Sequence, residues 1–295
     1  MTISSARPEA GGRPGLLARR PLTSFFVMAY AFSWLVWSPW VLGEDGAGLL
    51  PTRIDPALIG YLNAAAILAG PTVAGLVMAR VTGGRAGVRA LLARLVLWRV
   101  GVQWYVVALV GVPLIMLVGT TIWAGAGPTS GALGGPSYLL TYVVTFVLVT
   151  VLGGPLFEEI GWRGFALPRM QSSLGALGAS VVLGVLWALW HLPQFLVPSW
   201  AASSGGGGVS GILLFTLTAI TFTVVITWLF NHTRASLLIA VLVHSSIDTF
   251  SITLGALFPP DVLASAMPFM IGFGAVALVL VAVTRGRLGY AGRQE

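Results

Sequence analysis

Residues 137–163 read SYLLTYVVTFVLVTVLGGPLFEEIGWR. The first sixteen are uncharged and mostly apolar. Two glycines and a proline follow, then two adjacent glutamates and an arginine. The charge-free run begins as far back as residue 100, and a helix needs about 20 apolar residues to cross hydrocarbon. The stretch therefore reads as a membrane span that runs into ionisable groups. Further charge-free runs cover 21–43, 57–79, 192–230 and 262–284.

Composition agrees. The 295 residues are 57% hydrophobic and only 8% charged, against about 25% charged in soluble domains. That excludes a soluble globular domain and a disordered chain. The fold class is all-α, a polytopic helical membrane bundle of about eight transmembrane helices. The spans fall at about 23–42, 57–79, 103–124, 137–157, 174–195, 209–230, 235–256 and 265–284. Residues 1–22 read as a disordered basic tail, 23–284 as one membrane domain with its chemistry at about 137–256, and 285–295 as a C-terminal tail. No signal peptide is expected.

Cysteine is absent, which removes disulfides, thiolate zinc sites and a cysteine nucleophile together. The net charge of +7 comes from arginines placed between apolar spans. They orient a membrane protein better than they suit nucleic acid, so no nucleic-acid partner is expected. Arginine-bearing connections alternate with non-basic ones, so both termini are expected in the cytoplasm. The chain reads as an integral protein of a bacterial cytoplasmic membrane, with lipid around it.

Ionisable residues at membrane depth cost about 2.5–3.5 kcal/mol each on insertion scales, so they mark function. Four places qualify: Glu158-Glu159 with Arg163, His191 after Trp187, His244, and Asp248. Glu159 and Arg163 stand one helical turn apart and can pair. Glu158 points about 100° away and has no counter-charge one turn on, which suits a general base. The competing reading makes both acids a loop cap. His191 precedes Pro193, which bends a helix and turns the ring toward a cavity. The alternative is a core histidine bonded to a backbone carbonyl. His244 and Asp248 are again one turn apart, either a carboxylate orienting an imidazole or a structural pair. His232, beside Asn231 and Arg234, reads as solvated. Asn63 is the main polar exception in the first four spans.

These groups permit water activation by Glu158, with a metal or histidine hydrogen bonds assisting and the His244/Asp248 pair stabilising an oxyanion. That is hydrolysis of an acyl bond, most simply a peptide bond. No HExxH and no GxSxG is present, so neither a zincin nor a serine-hydrolase elbow is expected.

At these residues the sequence resembles the CAAX-protease and bacteriocin-processing (CPBP, or Abi) intramembrane metalloproteases, which include the type II CAAX prenyl endopeptidases. Glu158-Glu159 with Arg163 matches the family's EExxxR motif. Trp187 with His191 matches its aromatic-and-histidine motif, and His244 with Asp248 its His-xxx-Asn/Asp motif. The resemblance implies an endopeptidase acting on a membrane-associated or lipidated protein or peptide, prenylated substrates included. It implies that Glu158 and His191 activate water, that His244 and Asp248 support the oxyanion or a metal, and that Glu159 and Arg163 are accessory. Prenyl endopeptidases usually carry Asn at Asp248, so here Asp248 either orients His244 or stays protonated. The resemblance implies a divalent metal such as zinc, with His191, His244 and Glu158 as ligands, or a metal-free mechanism resting on the glutamate. The rival readings are a transporter or channel using the same charges as an ion path, and a non-catalytic scaffold of the family.

Helix lengths pose a difficulty. His244 lies about 15 Å along span seven, while His191 lies about 28 Å along span five. For them to meet, span five must start in the cytoplasm, tilt or unwind near Gly175–Ala179, and span four must continue to about Pro168.

Overall fold

The computed structural model describes residues 15–128 and 135–292. Most of the expected N-terminal tail, residues 1–14, lies outside the described residues, as do 129–134 and 293–295. Residues 15–22 are not disordered as expected: Leu16–Arg19 form one helical turn and the first long helix starts at Pro21.

Among the described residues eight apolar helical segments follow: α1 (Pro21–Val41), α2 (Pro56–Val96), α3 (Val102–Ala124), α4 (Pro136–Leu152), α5 (Pro155–Trp190), α6 (Gly208–His232), α7 (Leu237–Ala256) and α8 (Met267–Thr284). No strand occurs among the described residues. Seven of the eight are long and apolar enough to cross a membrane, and α4 is a shorter apolar helix. The chain is thus an all-α polytopic membrane bundle.

The starts have local causes. Pro21, Pro56, Pro136 and Pro155 occupy first helical positions, where a missing N–H costs nothing. Asp55 caps α2 by accepting from the amide of Ala57, and Ser236 caps α7 by accepting from that of Ile239. Gly125, in the left-handed region, ends α3.

The expected span four breaks earlier than its apolar run suggests. α4 stops at Leu152, and α5 begins afresh at Pro155. Gly154 between them has φ 121°, and a Cβ there would stand 2.8 Å from the Glu158 carboxylate. Only glycine fits both demands. Glu158 therefore sits in the first turn of α5, with Glu159 just after it, rather than at the end of α4. α5 breaks again at Gly175, φ 69°, which replaces the loop expected between spans four and five.

Neighbouring helices fix the depth of the site. α4 runs antiparallel along α7, with Tyr138 bonded to Thr253 and Thr150 to Ser245. The first part of α5 follows α2: Thr72 donates to the Phe157 carbonyl, and Arg169 to Thr82. Gly75 and Gly161 let these helices touch, since a Cβ on Gly161 would meet the Pro71 carbonyl at 2.4 Å. Glu158 is eleven residues before Arg169, about 16 Å along the helix. Beyond Gly175, α5 returns beside α1, where Tyr30 donates to the Leu186 carbonyl and Trp34 to that of Trp190.

The core forms two apolar clusters. One gathers α1, α2 and much of α5; the other gathers α3, α6, α7 and α8. Trp187 packs against both. The ionisable groups lie at this seam.

Candidate active site

The two glutamates part company as their spacing implies. Glu159 is fully enclosed, and its Oε1 accepts from Arg163 at 2.8 Å. Arg163 is equally enclosed, lies over the Phe222 ring and donates to Thr223. The same Oε1 also accepts from His244 Nδ1 at 2.8 Å. An ionised carboxylate only accepts, so His244 carries its proton on Nδ1.

Asp248 is expected either to orient His244 or to stay protonated. It faces the ring at ion-pair range, but the close hydrogen bond to His244 comes from elsewhere. Asp248 Oδ2 stands 3.8 Å from His244 Nε2, outside hydrogen-bond distance, while Glu159 from another helix makes the close contact. A one-turn spacing along one helix is visible in sequence; a contact between α5 and α7 is not.

Glu158 has no cationic partner among the described residues. Its Oε2 accepts from two indole N–H groups, Trp187 at 2.7 Å and Trp162 at 3.3 Å. The Trp187 contact also answers the depth difficulty. Trp187 lies one turn before His191, and its ring spans between His191 and His244, with centroids 4.8 and 5.8 Å away. Trp187, rather than His191, makes the direct contact with Glu158.

His191 ends α5, and its Nδ1 faces the Trp187 carbonyl at 2.9 Å. A carbonyl only accepts, so Nδ1 is protonated and Nε2 carries the lone pair in the neutral ring. Trp187, Trp190, Trp200 and Phe215 surround the imidazole. The carbonyl-bonded alternative is therefore present, yet the ring also lines a cavity.

That cavity has a volume of about 200 Å³, and Glu158, His191, His244 and Asp248 all line it, with Asn63 and Gln194 on a further wall. A second chamber of about 220 Å³, mostly apolar, adjoins it and shares Trp187, Phe215, His244 and Asp248. His232 is exposed and bonds to the Trp228 carbonyl, away from this site.

No group of three His, Asp or Glu side chains able to hold a metal ion as placed is found among the described residues. Glu159 takes His244 Nδ1, the Trp187 carbonyl takes His191 Nδ1, and two indoles take Glu158 Oε2. His191 Nε2, His244 Nε2 and Glu158 Oε1 are the atoms left with which these residues would hold a divalent metal.

Two side chains that line the cavity escape sequence reading. Trp187 stands in a motif, but its role as a donor to Glu158 needs the fold. Gln194 carries no signal beyond lying three residues past His191.

Comparison with known proteins points to the same segment. Residues 137–250 match the family model described as type II CAAX prenyl endopeptidase Rce1-like. The chain is 33% identical over 116 residues to CAAX prenyl protease 2 of Methanococcus maripaludis, a match that covers 39% of this chain and 42% of that relative. The match thus spans about two fifths of the curated relative, and residues 137–250 contain all seven residues of the three motifs. Where it holds its ionisable site, the chain is similar to the Rce1-like type II CAAX prenyl endopeptidases, as those motifs imply.

Proposed function

We propose that the protein is an intramembrane endopeptidase of the CAAX type, cleaving a peptide bond near a lipidated end of its substrate. The observation that carries this reading is Glu158: a carboxylate held by two neutral N–H donors, without a counter-charge, on the wall of a cavity shared with two histidines.

The chemistry runs on the chain's own groups. Glu158, with His191 Nε2 as a second acceptor, takes a proton from water as its oxygen bonds to the scissile carbonyl carbon. The resulting oxyanion needs a donor. His244 Nδ1 already gives its proton to Glu159, so Nε2 donates only in the imidazolium form, flanked by Glu159 and Asp248. Collapse breaks the C–N bond, and the proton on Glu158 passes to the departing amine. The apolar chamber suits the aliphatic or lipid part of the substrate.

The likeness to CAAX prenyl protease 2 favours a prenylated CAAX peptide as the first substrate to try. The arginine-rich connections favour termini and site access on the cytoplasmic side. Purified chain in proteoliposomes should release the C-terminal tripeptide from such a peptide and carry no ion flux. Flux without cleavage would establish the transporter reading instead. Cysteines engineered at 80–99 and 285–292, in a chain with none of its own, should label from the cytoplasmic side. Labelling of 80–99 from outside would reverse the orientation.

A further inference from the structure

The cavity that holds Glu158 has one wall made of two side-chain amides. Asn63 comes from α2 and Gln194 from the turn just after α5. Trp37 Nε1 donates to Asn63 Oδ1 at 3.1 Å. An indole N–H has no acceptor role, so Trp37 fixes which way the Asn63 amide faces. Gln194 Nε2 donates to the same oxygen at 3.4 Å. Turning the Gln194 amide over would set oxygen against oxygen. One indole thereby orients both amides.

Two polar atoms remain. Asn63 Nδ2, a donor, has no hydrogen-bond partner among the described residues. Gln194 Oε1, an acceptor, is buried and also unpartnered, in a side chain only 2% exposed. No charged group belongs to this pair. A neighbouring donor and acceptor complement a secondary amide, whose carbonyl would meet Asn63 and whose N–H would meet Gln194. A carboxylate would face Gln194 Oε1 with like charge, and a cation would face Asn63 Nδ2.

We propose that Asn63 and Gln194 form a peptide-backbone subsite that binds one amide of the substrate beside the scissile bond. This rests on the endopeptidase reading for the nature of the substrate. Asn63 lies outside the matched residues 137–250, so the subsite joins the N-terminal helices to the reactive half.

Ester-for-amide replacement tests this directly, because an ester has no N–H and a weaker carbonyl acceptor. The probes are a fluorescent prenylated CAAX peptide and two analogues, each with an ester at one amide flanking the scissile bond. Binding is read by anisotropy on the full chain carrying Glu158→Gln, so that hydrolysis does not intrude. One of the two esters should bind about fivefold to tenfold more weakly than the parent. Asn63→Asp keeps the oxygen for Trp37 and Gln194 but loses the donor, and Gln194→Met loses the acceptor. Each should weaken parent binding by a similar factor and reduce the ester discrimination below about twofold. If Asn63→Asp misfolds, Gln194→Met carries the reading. Folded variants that keep full discrimination, or a parent chain indifferent to both esters, would overturn the subsite. Cleavage by the wild-type chain is assayed separately. Cleavage with no ester discrimination removes the subsite alone, and discriminating binding with no cleavage removes the hydrolase reading alone.

Discussion

The two sides of the glutamate pair make the instructive comparison. On the Glu159 side the charges are enclosed and paired: guanidinium and imidazole share one carboxylate oxygen across α5 and α7. On the Glu158 side the carboxylate is held by neutral indoles and borders a cavity. Consecutive residues on a helix diverge by about 100°, so one turn of backbone supplies both a brace and a reactive group. The brace fixes the histidine that the reactive side uses.

The largest effect on stability should come from breaking the brace. Glu159→Gln leaves Arg163 charged and enclosed without its partner, which destabilises by about 3–5 kcal/mol. A thermal melt of the purified variant reads this, and the double change Glu159→Gln with Arg163→Met should recover part of the loss. A variant that melts like the wild type would mean that the ion pair does not brace the site. Next in size is Trp187→Phe, which keeps an aromatic ring of smaller size and removes one N–H from Glu158. A hydrogen bond to a charged group contributes about 1.5–3 kcal/mol, so turnover should fall roughly tenfold to a hundredfold while the fold persists. Unchanged turnover would remove Trp187 as a holder of the carboxylate. Smallest is Asp248→Asn. Its carboxylate stands beyond hydrogen-bond distance from His244 and its side chain is 35% exposed, so stability should shift by less than about 1 kcal/mol. A loss as large as that of Glu159→Gln would make Asp248 the true holder of His244.

Much of this was legible in the sequence. Charge depletion and apolar runs give a helical membrane bundle, because the bilayer tolerates little else. The Glu159–Arg163 pair follows from helical periodicity. Three features were not legible. Apolar length places the end of span four near residue 157, whereas the Gly153-Gly154 pair ends it at Leu152 and hands the glutamates to a new helix. Periodicity assigns Asp248 to His244, whereas Glu159 reaches it from another helix. Among eleven tryptophans, nothing local distinguishes Trp37, Trp162 and Trp187 as hydrogen-bond donors into the site. The Glu159–His244 bond and the Trp37 and Trp187 contacts depend on elements far apart in sequence, whereas the break before α5 is a local Gly-Gly-Pro signal that apolar length overrides.

The central claim is that Glu158 is the reactive carboxylate and Glu159 the brace. The most direct measurement compares the cleavage rate of a prenylated CAAX peptide by Glu158→Gln and Glu159→Gln, each normalised to folded protein by its melting transition. Glu158→Gln should melt with the wild type and lose roughly 10²–10⁴-fold in turnover, while folded Glu159→Gln should retain measurable activity, since glutamine still offers His244 an oxygen. A folded Glu158→Gln that cleaves at the wild-type rate, beside a folded Glu159→Gln that is inert, would contradict the account and make Glu159 the base.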